Sequence, residues 1–153
     1  AEVNADMPEH VVRKIAAGLN LHGKALYGAT VLVLGVAFKR DIDDARNSPA
    51  QRVIELLLDF GAKVEYHDPH VPSFTVGGSV LHRSMVTLHS TPLAAGLAAA
   101  DAVAIITGHT SLDYRQVVEG CPVVIDAVNV TRTLADCNGQ VIRLGAPLPA
   151  ASV

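Results

Sequence analysis

Tryptophan is absent from this 153-residue sequence and aromatic residues make up only 4% of it, so any core must be built from branched aliphatic side chains. With hydrophobic residues at 50%, there is enough apolar material for one packed domain of ordinary size. No apolar run reaches the ~20 residues that cross a bilayer, because Lys, Arg, Asp, Gly or Pro interrupts every stretch. A basic stripe is also missing. The 12 Lys and Arg residues are scattered and the net charge is −3, which excludes the electrostatic footprint of a nucleic-acid binder. An anionic ligand would have to be held by a local pocket. Cysteine is scarce as well: Cys121 and Cys137 form no CxxC pair and no secretory signal precedes them, which points to two plain thiols in a reducing, cytoplasmic setting. There is no internal repeat and no low-complexity segment.

What is present is an alternation of helical and strand patterns. Met7, Val11, Ile15 and Leu19 recur at helical spacing from Asp6 to Leu19, and Asp6 followed by Pro8 and Glu9 resembles a capped helix start. Thr30 to Val36 (TVLVLGV) reads as a strand buried on both faces of a parallel sheet. Ser48 and Pro49 announce a helix carried by Val53, Ile54, Leu57 and Leu58 and ended at Gly61. Ala62 to Tyr66 reads as a second strand, Val71 to Gly78 as loop and Val86 to Leu88 as a minor strand. Thr91 to Ala100 is a helix, Ala102 to Thr107 a buried strand, Asp113 to Glu119 a short helix, Val123 to Ala127 a strand and Val141 to Leu144 an edge strand. This order predicts an α/β fold, a doubly wound and mainly parallel Rossmann-like sheet with helices on both faces. The expected division is an entering helix over 1–22, an α/β domain over 23–145 and a flexible tail over 146–153.

Ligands of such sheets bind outside the carboxyl ends of the strands. After the first strand comes GVAFKRDIDDARNSP, where only Gly35 is available for the three-glycine turn of a dinucleotide fingerprint, so NAD is not expected to bind there in the usual way. Instead a loop long for a βα connection carries Lys39, Arg40 and Arg46 beside Asp41, Asp43 and Asp44. Such a loop at the ligand edge is more often functional than a solvated surface of paired charges.

The run GVAFKRDIDDARNSPA, the helix after it and AKVEYHDPHVP resemble the C-terminal domain of the UDP-glucose/GDP-mannose dehydrogenase family, nearest its UDP-N-acetylglucosamine/mannosamine 6-dehydrogenase branch. The opening EVNADMPEHVV is similar to the end of the helix that links that family's central and C-terminal domains. The resemblance implies an enzyme of polysaccharide biosynthesis that oxidises the C6 hydroxyl of a UDP-sugar to a carboxylate with two NAD+. It further implies an N-terminal NAD domain, a central region bearing the catalytic Cys, and a homo-oligomer. This sequence contains neither of those parts, and Cys121 and Cys137 lie in nothing like the nucleophile motif, so no catalytic residue is assigned and the isolated chain is expected to be inactive. The family pattern assigns Phe38 and Lys39 to the nucleotide sugar and Arg46 to NAD on the facing domain; the charges of the loop add the expectation that Asp43 and Asp44 hold the two cations in position.

Three further segments stand at the same edge. His67-Asp68-Pro69-His70 has too few ligands for a structural metal and reads as a turn built by Asp-Pro, although Asp68 occupies the place of a ribose-binding acid. Asp126-Ala-Val-Asn129 departs from the family's Asp-Thr-Arg-Asn at Val128, so either Arg132 substitutes for the missing arginine or substrate affinity rests on Lys39 and groups outside the chain, with Asn129 a candidate for fixing the loop. His109, in the turn Thr107-Gly108-His109, reads as structural or solvent-facing rather than as a base. The alternatives are a free-standing nucleotide-binding module and a receiver-like doubly wound domain, the latter disfavoured because Asp43 and Asp44 come well after the first strand and the strand Ala102 to Thr107 ends without an acid.

Overall fold

The computed structural model describes residues 2–80, 82–134 and 141–144. The elements follow the order α1 (Glu2–Leu21), β1 (Thr30–Leu34), α2 (Pro49–Asp59), β2 (Lys63–His67), β3 (Ser73–Val76), β4 (Val86–His89), α3 (Leu93–Ala99), β5 (Ala102–Ile105), α4 (Tyr114–Gly120), β6 (Val124–Asp126) and β7 (Val141–Arg143). Five strands make one parallel sheet in the order β2-β1-β5-β6-β7.

The period-two geometry of β1 sorts its side chains onto the two faces. Val31 and Val33 join a core with Val11, Ile15 and Leu19 of α1 and Val53, Ile54 and Leu57 of α2. Leu32 and Leu34 join the opposite core with Leu97 of α3 and Val117 and Val118 of α4. Each such aliphatic side chain removed from water contributes about 1.5–3 kcal/mol, and the sheet is covered on both sides as its continuous apolar strands require.

Local signals explain most element ends. Ser48 accepts from Ala50 N with Pro49 in the first turn, as expected, and α2 ends at a Phe60 cap followed by Gly61 at φ +83°. β1 stops at Leu34, two residues short of the expected Val36, because Gly35 turns the chain at φ +84°. A Cβ at Gly35 would lie 2.3 Å from the carbonyl oxygen of Thr107, so only glycine permits this approach.

Two expectations are corrected. The helix predicted to start at Asp6 begins at Glu2 and runs through Pro8, so no N-terminal cap falls at Asp6. The stretch Val71 to Gly78, expected as loop, contains β3, which pairs antiparallel with β4. Its Phe74 and Val76 are buried while Ser73 and Thr75 are exposed, and Phe74 packs edge-on against Tyr66. The tail from Ala146 to Val153, and Cys137, lie outside the described residues.

Candidate functional site

The site forms where the ends of β1, β2, β5 and β6 meet the loops that follow them. Its centre is the Asp68 carboxylate, fully buried and placed by the end of β2. Asp68 Oδ2 accepts from Val36 N at 2.8 Å, Ala37 N at 3.1 Å and His109 Nε2 at 2.9 Å, while Oδ1 accepts from His70 N at 2.8 Å. The last bond is the expected Asp-Pro turn, but the other three give Asp68 a wider role: it ties the β1, β2 and β5 ends together. Burial acts to raise its pKa, yet the bonds from His109, His70 and Val36 outweigh burial and hold it below the usual 3.8.

His109 is fully buried, so of the two expected settings it is not the solvent-facing one. With Nε2–H given to Asp68, its Nδ1 accepts from Asp41 N at 2.8 Å. The Asp41 carboxylate in turn accepts from Thr110 N at 2.8 Å and Thr110 Oγ1 at 3.0 Å. Those bonds from Thr110 lower the Asp41 pKa. Tyr114, whose hydroxyl donates to His109 O at 2.7 Å, is pushed well above the usual phenol range by burial and then by Asp126 and Asp41.

Phe38, Lys39 and Arg40 are thereby held as an exposed arch between Ala37 and Asp41. The Lys39 ammonium stands 5.8 Å from the centre of the Phe38 ring. Arg46, with a side chain 88% exposed, is gripped by Asp44 through Nε at 3.0 Å and Nη2 at 2.9 Å, and this pairing draws the Asp44 pKa down to about 2. Asp44 therefore plays the part expected of it toward Arg46, whereas no ion pair joins Asp43 to Lys39 or Arg46 among the described residues.

Two adjoining cavities open beside the arch. One, of about 230 Å³, is lined by Phe38, Lys39, Arg40, Thr107, Gly108 and Val128. The other, of about 550 Å³, brings Arg40 and Arg132 together with Tyr114, Val128 and Asn129. Val128 thus fronts both, and Arg132 borders the larger of them. Asn129 does turn the loop, at φ +61°, but the loop is fastened by Asp126, which accepts from Val128 N, Val130 N and Thr131 N at 3.1, 3.3 and 2.9 Å. A groove of about 470 Å³ between α1 and α2 offers only Glu9 and Arg13 among apolar walls and does not suit a nucleotide.

Asp41, His70 and His109 offer ligand atoms within 4.8 Å of one another. Both His109 nitrogens are engaged in hydrogen bonds and the Asp41 carboxylate faces Thr110, so hydrogen bonding already accounts for two of the three. His70 Nε2 is buried with no hydrogen-bond partner among the described residues, and His67 Nδ1 donates to Thr91 O at 2.7 Å.

Residues 32–133 match the UDP binding domain of the UDP-glucose/GDP-mannose dehydrogenase family. The chain belongs to this family. The UDP-N-acetyl-D-mannosamine dehydrogenase of Methanococcus maripaludis is 26% identical, over 84% of this chain and 29% of that protein. A solved NDP-N-acetyl-D-galactosaminuronic acid dehydrogenase from Methanosarcina mazei is 32% identical with a TM-score of 0.72, covering 93% of this chain and 29% of that one. The UDP-D-ManNAc dehydrogenase of Pyrococcus horikoshii shares the fold, with a TM-score of 0.73 at 24% identity over 94% of this chain and 32% of its own. The chain thus spans about three-tenths of these dehydrogenases. The site lies within the part of the family that this chain represents.

Proposed function

We propose that the Phe38–Arg40 arch binds the nucleotide-sugar substrate of a UDP-sugar 6-dehydrogenase, a UDP-N-acetylhexosamine or UDP-glucose enzyme that oxidises C6 to the uronic acid with NAD. The observation that carries this is the exposed Lys39 ammonium at the carboxyl edge of the sheet, on an arch whose backbone is fixed at both ends and which opens on a cavity. A compact ammonium is a suitable partner for a diphosphate oxygen, and the Phe38 ring gives an apolar surface beside it.

A dinucleotide does not fit this domain as its own ligand. The first βα turn has one glycine, and the start of α2 is closed by Ser48 and Pro49, so its amide donors do not form a pyrophosphate cradle. In this reading NAD is held by another domain of the full-length protein, and Arg46 is the side chain that reaches it. The UDP-sugar, the N-terminal and central domains and a homo-oligomeric assembly are the partners the reading implies. Residues 1–22 form the end of the inter-domain helix and 23–145 the nucleotide-sugar-binding unit.

Calorimetry of UDP, UDP-glucose and UDP-N-acetylglucosamine with the full-length protein tests the reading. A charge-assisted contact contributes about 1.5–3 kcal/mol, so Lys39→Ala is expected to weaken UDP-sugar binding by roughly ten- to a hundredfold. An affinity within twofold of the parent would remove Lys39 from the site.

A further inference from the structure

We propose that His109 is a positioning residue for the UDP-sugar reaction, fixing the arch that presents Phe38 and Lys39; the assignment rests on the function proposed above. On its upstream side the arch is held by Ala37, whose N–H donates to Asp68 and whose carbonyl accepts from Thr107 Oγ1 at 2.7 Å. On its downstream side Asp41 turns the chain at φ +64° and its N–H donates to His109 Nδ1. Among the described residues no other acceptor receives that N–H, and Asp41 N is only two residues beyond Lys39. His109 can serve there because Asp68 takes its Nε2 proton, which leaves the lone pair of Nδ1 facing Asp41. An aliphatic residue of similar size would fill the space but leave both Asp41 N and one acceptor position of Asp68 unmatched. The Arg46 side chain is gripped by the Asp44 carboxylate, and one backbone bond, Phe38 N to Asp44 O at 2.7 Å, joins that part of the loop to the arch without involving His109. The loss of His109 should therefore disturb the sugar-nucleotide contacts more than the Arg46 side, which keeps its own grip from Asp44.

The test compares His109→Leu with His109→Gln in the full-length protein, the glutamine amide offering one donor and one acceptor in place of the imidazole. His109→Leu is expected to speed amide hydrogen exchange over residues 37–44 and to raise the UDP-sugar KM about tenfold, as for one lost hydrogen bond with a stranded donor. The NAD KM should stay within twofold, and His109→Gln should recover most of the loss. In a Lys39→Ala background the leucine substitution should add little, because His109 acts through the arch that Lys39 occupies. Unchanged exchange, an equal rise in both KM values, or a full additive penalty in the double variant would each overturn the proposal. Should His109→Leu fail to fold, Thr110→Ala weakens the same anchor from an exposed position, and a UDP-sugar KM unmoved by it would count against the pin. If Lys39→Ala alone leaves UDP-sugar affinity intact while His109→Leu loosens the arch, the substrate reading has failed and the pin to the loop has not.

Discussion

Asp68 carries an acid-sensitive share of the stability. Its pKa is lower in the folded chain than the usual 3.8, so its contribution is fully present above that value and disappears as pH falls through the lower folded value. Thermal unfolding should therefore show a steep loss of Tm below about pH 4, and Asp68→Asn, which keeps the shape but not the charge, should flatten that limb while lowering Tm at neutral pH. An unchanged acid limb in Asp68→Asn would place the sensitivity elsewhere. Arg46 gives the complementary test. It is solvent-exposed and among the described residues its side chain pairs with Asp44 alone, so Arg46→Ala should change the unfolding free energy by no more than about 0.5 kcal/mol while raising the NAD KM more than the UDP-sugar KM. Equal changes in both constants would separate Arg46 from the cofactor.

Among the elements, two glycines divide the fold into a central and an outlying part. Gly35 ends a core strand against the Thr107 backbone, whereas Gly77 ends β3 at φ +89° with a would-be Cβ 1.9 Å from Ser84 O. The buried Glu55 of α2 accepts from Gly77 N at 2.9 Å and so holds the base of the β3–β4 hairpin. Forcing a Cβ into a left-handed φ costs about 1–2 kcal/mol before any clash. Gly77→Ala should therefore open the hairpin locally, seen as faster exchange and cleavage near residues 77–85, while Gly35→Ala should lower global stability. Equal global losses would show that the hairpin and the sheet unfold as one unit. The sequence made β1, α2 and β5 legible because aliphatic runs and a Ser-Pro cap are local signals. β3 was missed because four residues give too short an alternation beside Gly77 and Gly78, and the α1 start was misplaced because Pro8 marks a first turn more often than an interior. Phe38, Lys39 and Arg46 could be located from their place after β1. The network around Asp68 could not, since its partners lie 32 and 41 residues away and only the packed sheet brings them together.

At the scale of the whole molecule, both faces of the sheet are covered and the ligand edge is left open. Among the described residues no helix is long and apolar enough to cross a membrane. Cys121 is buried and its thiol pKa is raised by that burial, which makes it a poor nucleophile, and Asp126 and His109 are engaged in fastening loops. The 153-residue chain supplied with UDP-sugar and NAD should therefore show no NADH formation, and the appearance of NADH absorbance would require a nucleophile that the proposed function does not provide.

The anchors of the arch touch backbone groups at Val36, Ala37, Phe38 and Asp41 and ignore the side chains of residues 38, 39 and 40. Shape and chemical content are thus written in separate places: the loop keeps its course whatever those three positions display, provided none is proline. A library randomised at residues 38–40 should yield mostly folded proteins whose preferences among nucleotide sugars differ, so this edge can acquire new specificity without the stability losses that usually accompany it.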